Sequence, residues 1–354
     1  MEPIRVGLVG LGRAGTQAHL PGMQACAGMF KIVAVCDTVP ERLENRPEPL
    51  RGAKPYADYA AMLRNAEVEL VSLANRHPEH APMALAALEA GKYVNVDKPC
   101  ALNAREMDRL VEVCRRHPGK LFFRHNRRFE APFVKARKIM ASGVLGEINT
   151  VKLYRSVGYC RRNDWMTMTE FGGGLLMNWG PHLIDQALHL LESPVADVWA
   201  SVKRVISIGD GDDHVKLLLR AENGRVADIE ISGAHALPGR EMEIQGSRGT
   251  LAYPENGKIH LRHVDPDLVF EPLKPHPENP PFQYGNFDET LTFVEQWIDV
   301  LPTSDVLWEH IYHAVRNDTP FPITLEEAAE VVHVTDRAFR ASGFAPAKVF
   351  LDKT

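Results

Sequence analysis

The chain has 354 residues, 45% hydrophobic and 25% charged, which suits a globular protein with room for about two cores. Its formal net charge of -5 argues against nucleic acid or an acidic membrane surface as a general partner, and the basic run "RHNRRF" (124–129) is too short to reverse that. Five cysteines without a CxxC pair point to a reduced, cytoplasmic setting, no apolar stretch reaches the ~18–20 residues that cross a bilayer, and "MEPIRVGLVG" shows no signal-like region.

The first element is the apolar run in "IRVGLVGLGRAGTQAHL" (4–20), which turns through Gly10, Gly12 and Gly15 before a helix. That is G-x-G-x-x-G in the context that gives it meaning. Gly10 makes the turn tight, Gly12 lets a pyrophosphate approach the backbone, and Gly15 lets the helix pack close to the strand. The helix N-terminus then offers free N–H groups to phosphates. Arg13 and Ala14 complete this candidate cradle. The next strand, "KIVAVCD" (31–37), ends in Asp37, an acid at the spacing that reads the adenosine ribose. Asp37 repels a 2′-phosphate, so NAD is favoured over NADP; Arg42 nearby softens that preference. "VELVSLAN" (68–75) reads as a strand ending at Asn75, "PEHAPMALAALEAG" (78–91) as a helix, and "KYVNVD" (92–97) as the next strand. "NAREMDRLVEVCRRH" (103–117) follows as a helix and "KLFFRHN" (120–126) as a strand. Alternating strands and helices imply a doubly wound parallel sheet, a Rossmann domain expected to occupy residues 1–124.

"NVDKPC" (95–100) sits where the strand 92–97 ends, so Asp97 and Lys98 are aimed at the crevice that holds the glycine turn. Lys98 can hydrogen-bond a substrate hydroxyl, and a positive nicotinamide beside it lowers its pKa. "HPEH" (77–80) offers two imidazoles without a third ligand, so no metal is expected.

Residues 125–354 are expected to form a second domain. Its β-rich segments are 147–156, 197–206, 213–222, 225–232 and 241–247, separated by Gly, Asn, Asp and Pro turns. Between the first two lies "GGGLLMNWGPHLID" (172–185). The glycines are expected to let the backbone pass close to nicotinamide and substrate. A helix after them carries Asn178, His182 and Asp185 at spacings that share one face. Asn126, Arg128, Tyr154, Arg155, Asp164 and Trp165 are candidate lining for a substrate pocket, a Trp face being suited to a sugar ring. The proline-rich segment 265–287 reads as a long surface excursion.

The glycine turn, "AALEAGKYVNVDKP" (86–99), "NRRFEAPFVKARKIMASGVLGEI" (126–148), "GGGLLMNWGPHLID", "EIQGSRGTL" (243–251) and "ITLEEAAEVVHVTDRAFRAS" (323–342) together resemble the glucose-fructose oxidoreductase / inositol dehydrogenase / rhizopine-catabolism (Gfo/Idh/MocA) family. The resemblance implies a C-terminal α+β domain with an open, mostly antiparallel sheet, a homodimer or homotetramer, and His80 on the nicotinamide side of the cleft. It implies a catalytic Lys, Asp and His, which fall on Lys98, Asn178 and His182. Asn178 replaces the family's Asp, and Asp97-Lys98-Pro99 replaces its usual Glu-Lys-Pro. An Asn exchanges hydrogen bonds but takes no proton. His182 is therefore the expected base, Asn178 a positioning group, and Lys98 the group that polarises the reacting oxygen. Asp185 either orients His182 or supports packing. The resulting expectation is an NAD-dependent oxidoreductase acting on a secondary hydroxyl or ketone of a sugar, glycoside or cyclitol. Two alternatives keep the same cleft: glycoside cleavage by transient oxidation, and a non-catalytic NAD-binding sensor.

Overall fold

The computed structural model describes residues 2–159, 161–237, 239–254, 257–270, 277–278, 291–301 and 306–344. The first sheet contains β1 (Ile4–Val9), β2 (Phe30–Cys36), β3 (Lys54–Tyr56), β4 (Leu70–Leu73), β5 (Tyr93–Val96) and β6 (Leu121–Phe123). Their order is β3-β2-β1-β4-β5-β6, and every pairing is parallel. β1 and β4 are buried almost throughout, as strands covered by helices on both faces must be. The chain runs outward from β1 in one direction and restarts at β4 in the other. A crevice opens at such a reversal, outside the carboxyl ends of the strands.

Register then decides what lines the crevice. Cys36, Val9, Leu73, Val96 and Phe123 are in line across the sheet. The residues that follow them, Asp37, Gly10, Ala74, Asp97 and Arg124, therefore share one rim. The short β3, whose three residues include Pro55, is an edge strand the sequence pattern does not announce. β6 stops at Phe123, and Asn126–Phe129 forms a single 3-10 turn rather than more strand. The helix expected after Gly15 is also irregular. A wide turn spans Gly15–His19, closed by the Leu20 N–H donating to the Gly15 carbonyl, and Leu20–Ala25 continues with Pro21 in its first turn.

The second sheet has eight strands: β7 (Ile148–Ser156), β8 (Val195–Lys203), β9 (His214–Ala221), β10 (Val226–Ser232), β11 (Met242–Gly246), β12 (Gly249–Tyr253), β13 (Lys258–Val264) and β14 (Phe293–Asp299). Their order is β14-β13-β12-β11-β7-β10-β9-β8, antiparallel except for β7 with β10. Five of these match segments expected from the sequence; β12, β13 and β14 extend the sheet beyond them. Helices Ala131–Ala141, Gly180–Leu191 and Leu325–Ser342 bury their apolar faces with one face of this sheet. On the other face Trp199 stands opposite Leu218, and both are exposed. Most of the excursion 265–287 falls outside the described residues.

Helix Leu307–Asn317 packs on the first core, not the second. Trp308, Ile311 and Tyr312 are fully buried there, and the Trp308 ring meets His19 and Phe30 edge-on at 5.7 and 5.5 Å. No helix among the described residues is long and apolar enough to cross a membrane.

Candidate active site

The rim of the first sheet and residues 157–182 of the second half enclose a cleft of about 860 Å³, a size suited to a small-molecule ligand. Its floor is the glycine turn. Gly10 has φ +85°, and a Cβ there would lie 2.7 Å from the Ala74 carbonyl oxygen; a Cβ on Gly15 would lie 1.9 Å from the Gly10 carbonyl oxygen. Both positions are closed to any side chain by neighbouring backbone. Gly12 is different: a Cβ there would meet nothing nearer than 3.9 Å, so its bare face opens onto the cleft beside Arg13 and Ala14. Asp37 is fixed at one end. Its carboxylate accepts the Leu11 N–H at 2.7 Å and the Val39 N–H at 2.9 Å, with Arg42 Nη1 at 3.4 Å. An open glycine face beside a held acid is what a dinucleotide requires: the first admits the pyrophosphate and the second reads the adenosine ribose.

Asn75 lies two residues beyond the end of β4 at the same rim. Its amide donates to Glu79 at 2.8 Å, and its Oδ1 has no partner among the described residues. His77 and His80 enter from the following helix. Each Nδ1 donates to a backbone carbonyl, of Gly172 and Pro99 respectively, both at 2.8 Å, leaving the Nε2 lone pair available; burial pushes both imidazoles down and keeps them neutral. Asp97 is buried, which alone raises a carboxyl, yet its bond to His19 and the nearby cations hold it well below the usual range.

Lys98 crosses the cleft. Its ammonium donates to the Asn178 carbonyl at 2.7 Å and to Asn178 Oδ1 at 2.9 Å. Burial is the main cause that brings its pKa down to about 8; Asp97 opposes the shift, and Arg124, Arg127 and Arg13 reinforce it. A carboxylate at position 178 would hold the ammonium charged, whereas an amide does not, so Asn178 leaves Lys98 close to losing its proton at neutral pH. His182 lines the same cleft, with a buried Nδ1 that has no partner among the described residues and the Trp179 ring edge-on at 5.9 Å. Burial first, then Lys98, Arg127 and His125, push its imidazole well below 6.5.

Asn126, Asp164 and Trp165 also face the cleft. Asp164 caps the 3-10 turn Trp165–Thr167 and pairs with Arg162, while Trp165 meets His77 edge-on at 4.9 Å. Four expected substrate residues lie elsewhere. Arg128 and Asp185 form a buried two-armed ion pair, and Arg128 also reaches Glu327. Tyr154 and Arg155 face a small neighbouring hollow that Arg127 and Trp179 also line; the Lys216 ammonium lies over the Tyr154 ring, and Arg155 lies over the Trp179 ring. Asp185 shares helix Gly180–Leu191 with His182 but is held by Arg128, a packing role rather than an orienting one. One continuous helix was expected, but Leu175–Asn178 stops and Gly180–Leu191 restarts at Gly180-Pro181. Asn178 and His182 still converge. The glycines 172–174 likewise do not line the cleft. Gly173 packs against the backbone of Met166 and Met168, and Gly174 against Asp212. Residues the sequence reading passed over are His77, Arg127 and Trp179, all in the cleft wall. Arg127 lies within the basic run noted above only as charge, and Trp179 within the motif that carries His182.

Fold and cleft define a dinucleotide-binding oxidoreductase of two domains. The model for an oxidoreductase family with an NAD-binding Rossmann fold matches residues 4–125, and that for the GFO/IDH/MocA C-terminal domain matches residues 133–252. The chain therefore belongs to the Gfo/Idh/MocA oxidoreductase family. It is 29% identical over 233 residues to 1-carboxy-3-chloro-3,4-dihydroxycyclohexa-1,5-diene dehydrogenase of Comamonas testosteroni, a match spanning 65% of this chain and 58% of that protein. It is 26% identical to myo-inositol 2-dehydrogenase of Thermotoga maritima, across 70% of this chain and 74% of that one. The crystal structure of an NAD-binding protein from Listeria innocua has the same fold, with a TM-score of 0.81 at 22% identity over 97% of this chain and 98% of the other.

Proposed function

We propose that the protein is an NAD-dependent dehydrogenase or reductase that interconverts a secondary hydroxyl and a ketone on a sugar, glycoside or cyclitol. The observation that carries this reading is the meeting of Lys98, Asn178 and His182 in the cleft whose floor is the glycine turn. The myo-inositol 2-dehydrogenase relative acts on a cyclitol, which supports the substrate class. NAD, when bound, exchanges hydride at its nicotinamide ring. The chain supplies the geometry and handles the proton.

We assign the proton to Lys98 rather than to the expected His182. A base works best when its pKa lies near the working pH, and about 8 for Lys98 is closer than a value well below 6.5. Asn178 holds the Lys98 nitrogen in place. His182 stays neutral in the cleft wall, where its ring is assigned to contact the substrate. Asp37 favours NAD over NADP because its fixed carboxylate stands where a 2′-phosphate would go. The exposed Trp199 and Leu218 face is assigned to contact between copies of the chain in a homodimer or homotetramer.

The test is a screen of sugars, cyclitols and glycosides with NAD and with NADP, following absorbance of the reduced cofactor. Reduction of NAD by a carbohydrate hydroxyl supports the reading. Cleavage of a glycoside without accumulation of NADH would replace it with catalysis by transient oxidation. Cofactor binding without turnover on any substrate would leave a sensor.

A further inference from the structure

The chain is acidic overall, at -5, yet its cleft is not. Seven Lys and Arg side chains line it against four Asp and Glu among the described residues. Two of those carboxylates are matched where they stand, Asp37 by Arg42 and Asp164 by Arg162. Asp97 is engaged by His19. At the end holding His182, Asp97 faces Lys98 and Arg124 and Glu130 pairs with Arg127 from behind, so the cleft wall there presents more positive than negative groups. The three imidazoles there are neutral and offset nothing, and an oxidised nicotinamide adds a further positive charge. A neutral polyol would gain only hydrogen bonds from such a field, whereas an anion would gain its charge attraction as well in a partly dehydrated cleft.

Arg127 is built to receive that anion. Its guanidinium lies 4.4 Å from the Trp179 ring centroid, and that ring also carries Arg155 at 4.1 Å. One Nη donates to Glu130 at 2.7 Å, and Glu130 stands behind the cleft rather than in it. The Gln186 amide donates to the Arg127 carbonyl at 3.0 Å and fixes the backbone. No second acceptor reaches the guanidinium among the described residues. A flat fork immobilised by a ring and a carboxylate, with donors left over, matches a planar carboxylate at little entropic cost.

Resting on the carbohydrate reading above, we propose that the substrate is an acidic one, a sugar or cyclitol bearing a carboxylate, and that Arg127 is the residue that reads it.

The test uses protein loaded with NADH and matched pairs that differ by one carboxylate: hexose and hexuronate, aldose and aldonate, cyclitol and its carboxylic acid. Calorimetry is expected to show at least one acid binding about tenfold or more tighter than its neutral partner, the scale of a charge-assisted pair. High salt should shrink the preference. Arg127→Gln should abolish it, Arg127→Lys should keep part of it, and Arg155→Gln should leave it standing, which separates direct reading from repacking of Trp179. No preference for the acid in any pair would overturn the proposal. So would equal losses for acid and neutral partners in Arg127→Gln, or a sugar phosphate binding better than every carboxylate. An acid that binds selectively but never reduces NAD would instead count against the dehydrogenase reading.

Discussion

Arg128→Met tests whether the Arg128–Asp185 pair is structural. Arg128 Nε donates to Asp185 Oδ2 at 3.1 Å and Nη2 to Asp185 Oδ1 at 2.5 Å; Nη1 reaches Glu327 at 2.7 Å and the Pro322 carbonyl at 3.0 Å. The guanidinium thus joins the 3-10 turn 126–129 to helix Gly180–Leu191 and the start of helix Leu325–Ser342. The two side chains are only 5% and 2% exposed, so removing the arginine strands a carboxylate that water cannot reach. Breaking such a pair costs about 3–5 kcal/mol. At roughly 2–4 °C per kcal/mol for a domain of this size, the melting temperature should fall by about 6–20 °C. Thermal and urea unfolding of Arg128→Met measure the loss. Arg128→Met with Asp185→Leu removes both charges and should recover most of it, since an apolar pair of similar volume is tolerated where a lone charge is not. Substrate KM of the folded variant should stay within about twofold of wild type, because ΔΔG between groups that share no partner is small. A variant as stable as wild type but with KM raised tenfold would refute the assignment and return Arg128 to the substrate site.

Oxidation should rise with pH through about 8, because only neutral Lys98 takes the hydroxyl proton, and Lys98→Met should lose that limb with at least a hundredfold fall in kcat; an unchanged profile would contradict the role. Asp37→Ser should move the ratio of kcat/KM for NADP over NAD upward by about tenfold or more, since it removes the repelling carboxylate and leaves Arg42 in place. Asp212 is the clearest pH effect on stability. Burial raises its carboxyl to about 7, with Oδ2 accepting the Leu176 N–H at 2.8 Å and Oδ1 unpartnered. The folded state then holds a proton that the unfolded chain has released between its ordinary 3.8 and about 7, so stability falls as pH rises across that window, by a few kcal/mol at most. Asp212→Asn should flatten that slope, as urea titrations at pH 5 and pH 8 would show.

The first domain was readable because its signals are local. Gly10, Gly12, Gly15 and Asp37 each carry a backbone or charge requirement that one sequence displays, and parallel register then places Asp97 and Arg124 on the same rim without further information. Lys98, Asn178 and His182 reached the same cleft through the family pattern. The errors arose where three-dimensional direction outweighed spacing. Of the two roles open to Asp185, orienting His182 or supporting packing, the buried pair with Arg128 selects the second, although Asp185 and His182 share helix Gly180–Leu191; that partner lies 57 residues away in sequence. Neighbouring arginines were split by the 3-10 turn: Arg128 goes into the interior, and Arg127 faces the cleft. Nothing in "NRRF" distinguishes them. Tyr154 and Arg155 sit on a strand whose faces were not assignable until β11 and β10 flanked it. Edge strand β3 and strand β12 are short and β14 alternates weakly, so packing defines them, whereas β13 alternates clearly at Ile259 and Leu261 and was legible in the sequence.

The placement of helix Leu307–Asn317 has a consequence for how the protein is made. Trp308 and Tyr312 fill the space beside His19 and Phe30, so the nucleotide-binding sheet has an open flank until the ribosome has delivered them. Nascent domains ordinarily close in the order of synthesis. Here the earliest-made half must wait, with apolar surface uncovered, while the whole eight-stranded sheet is translated. Chaperone dependence, and the solubility of fragments ending before residue 307, should follow from that delay.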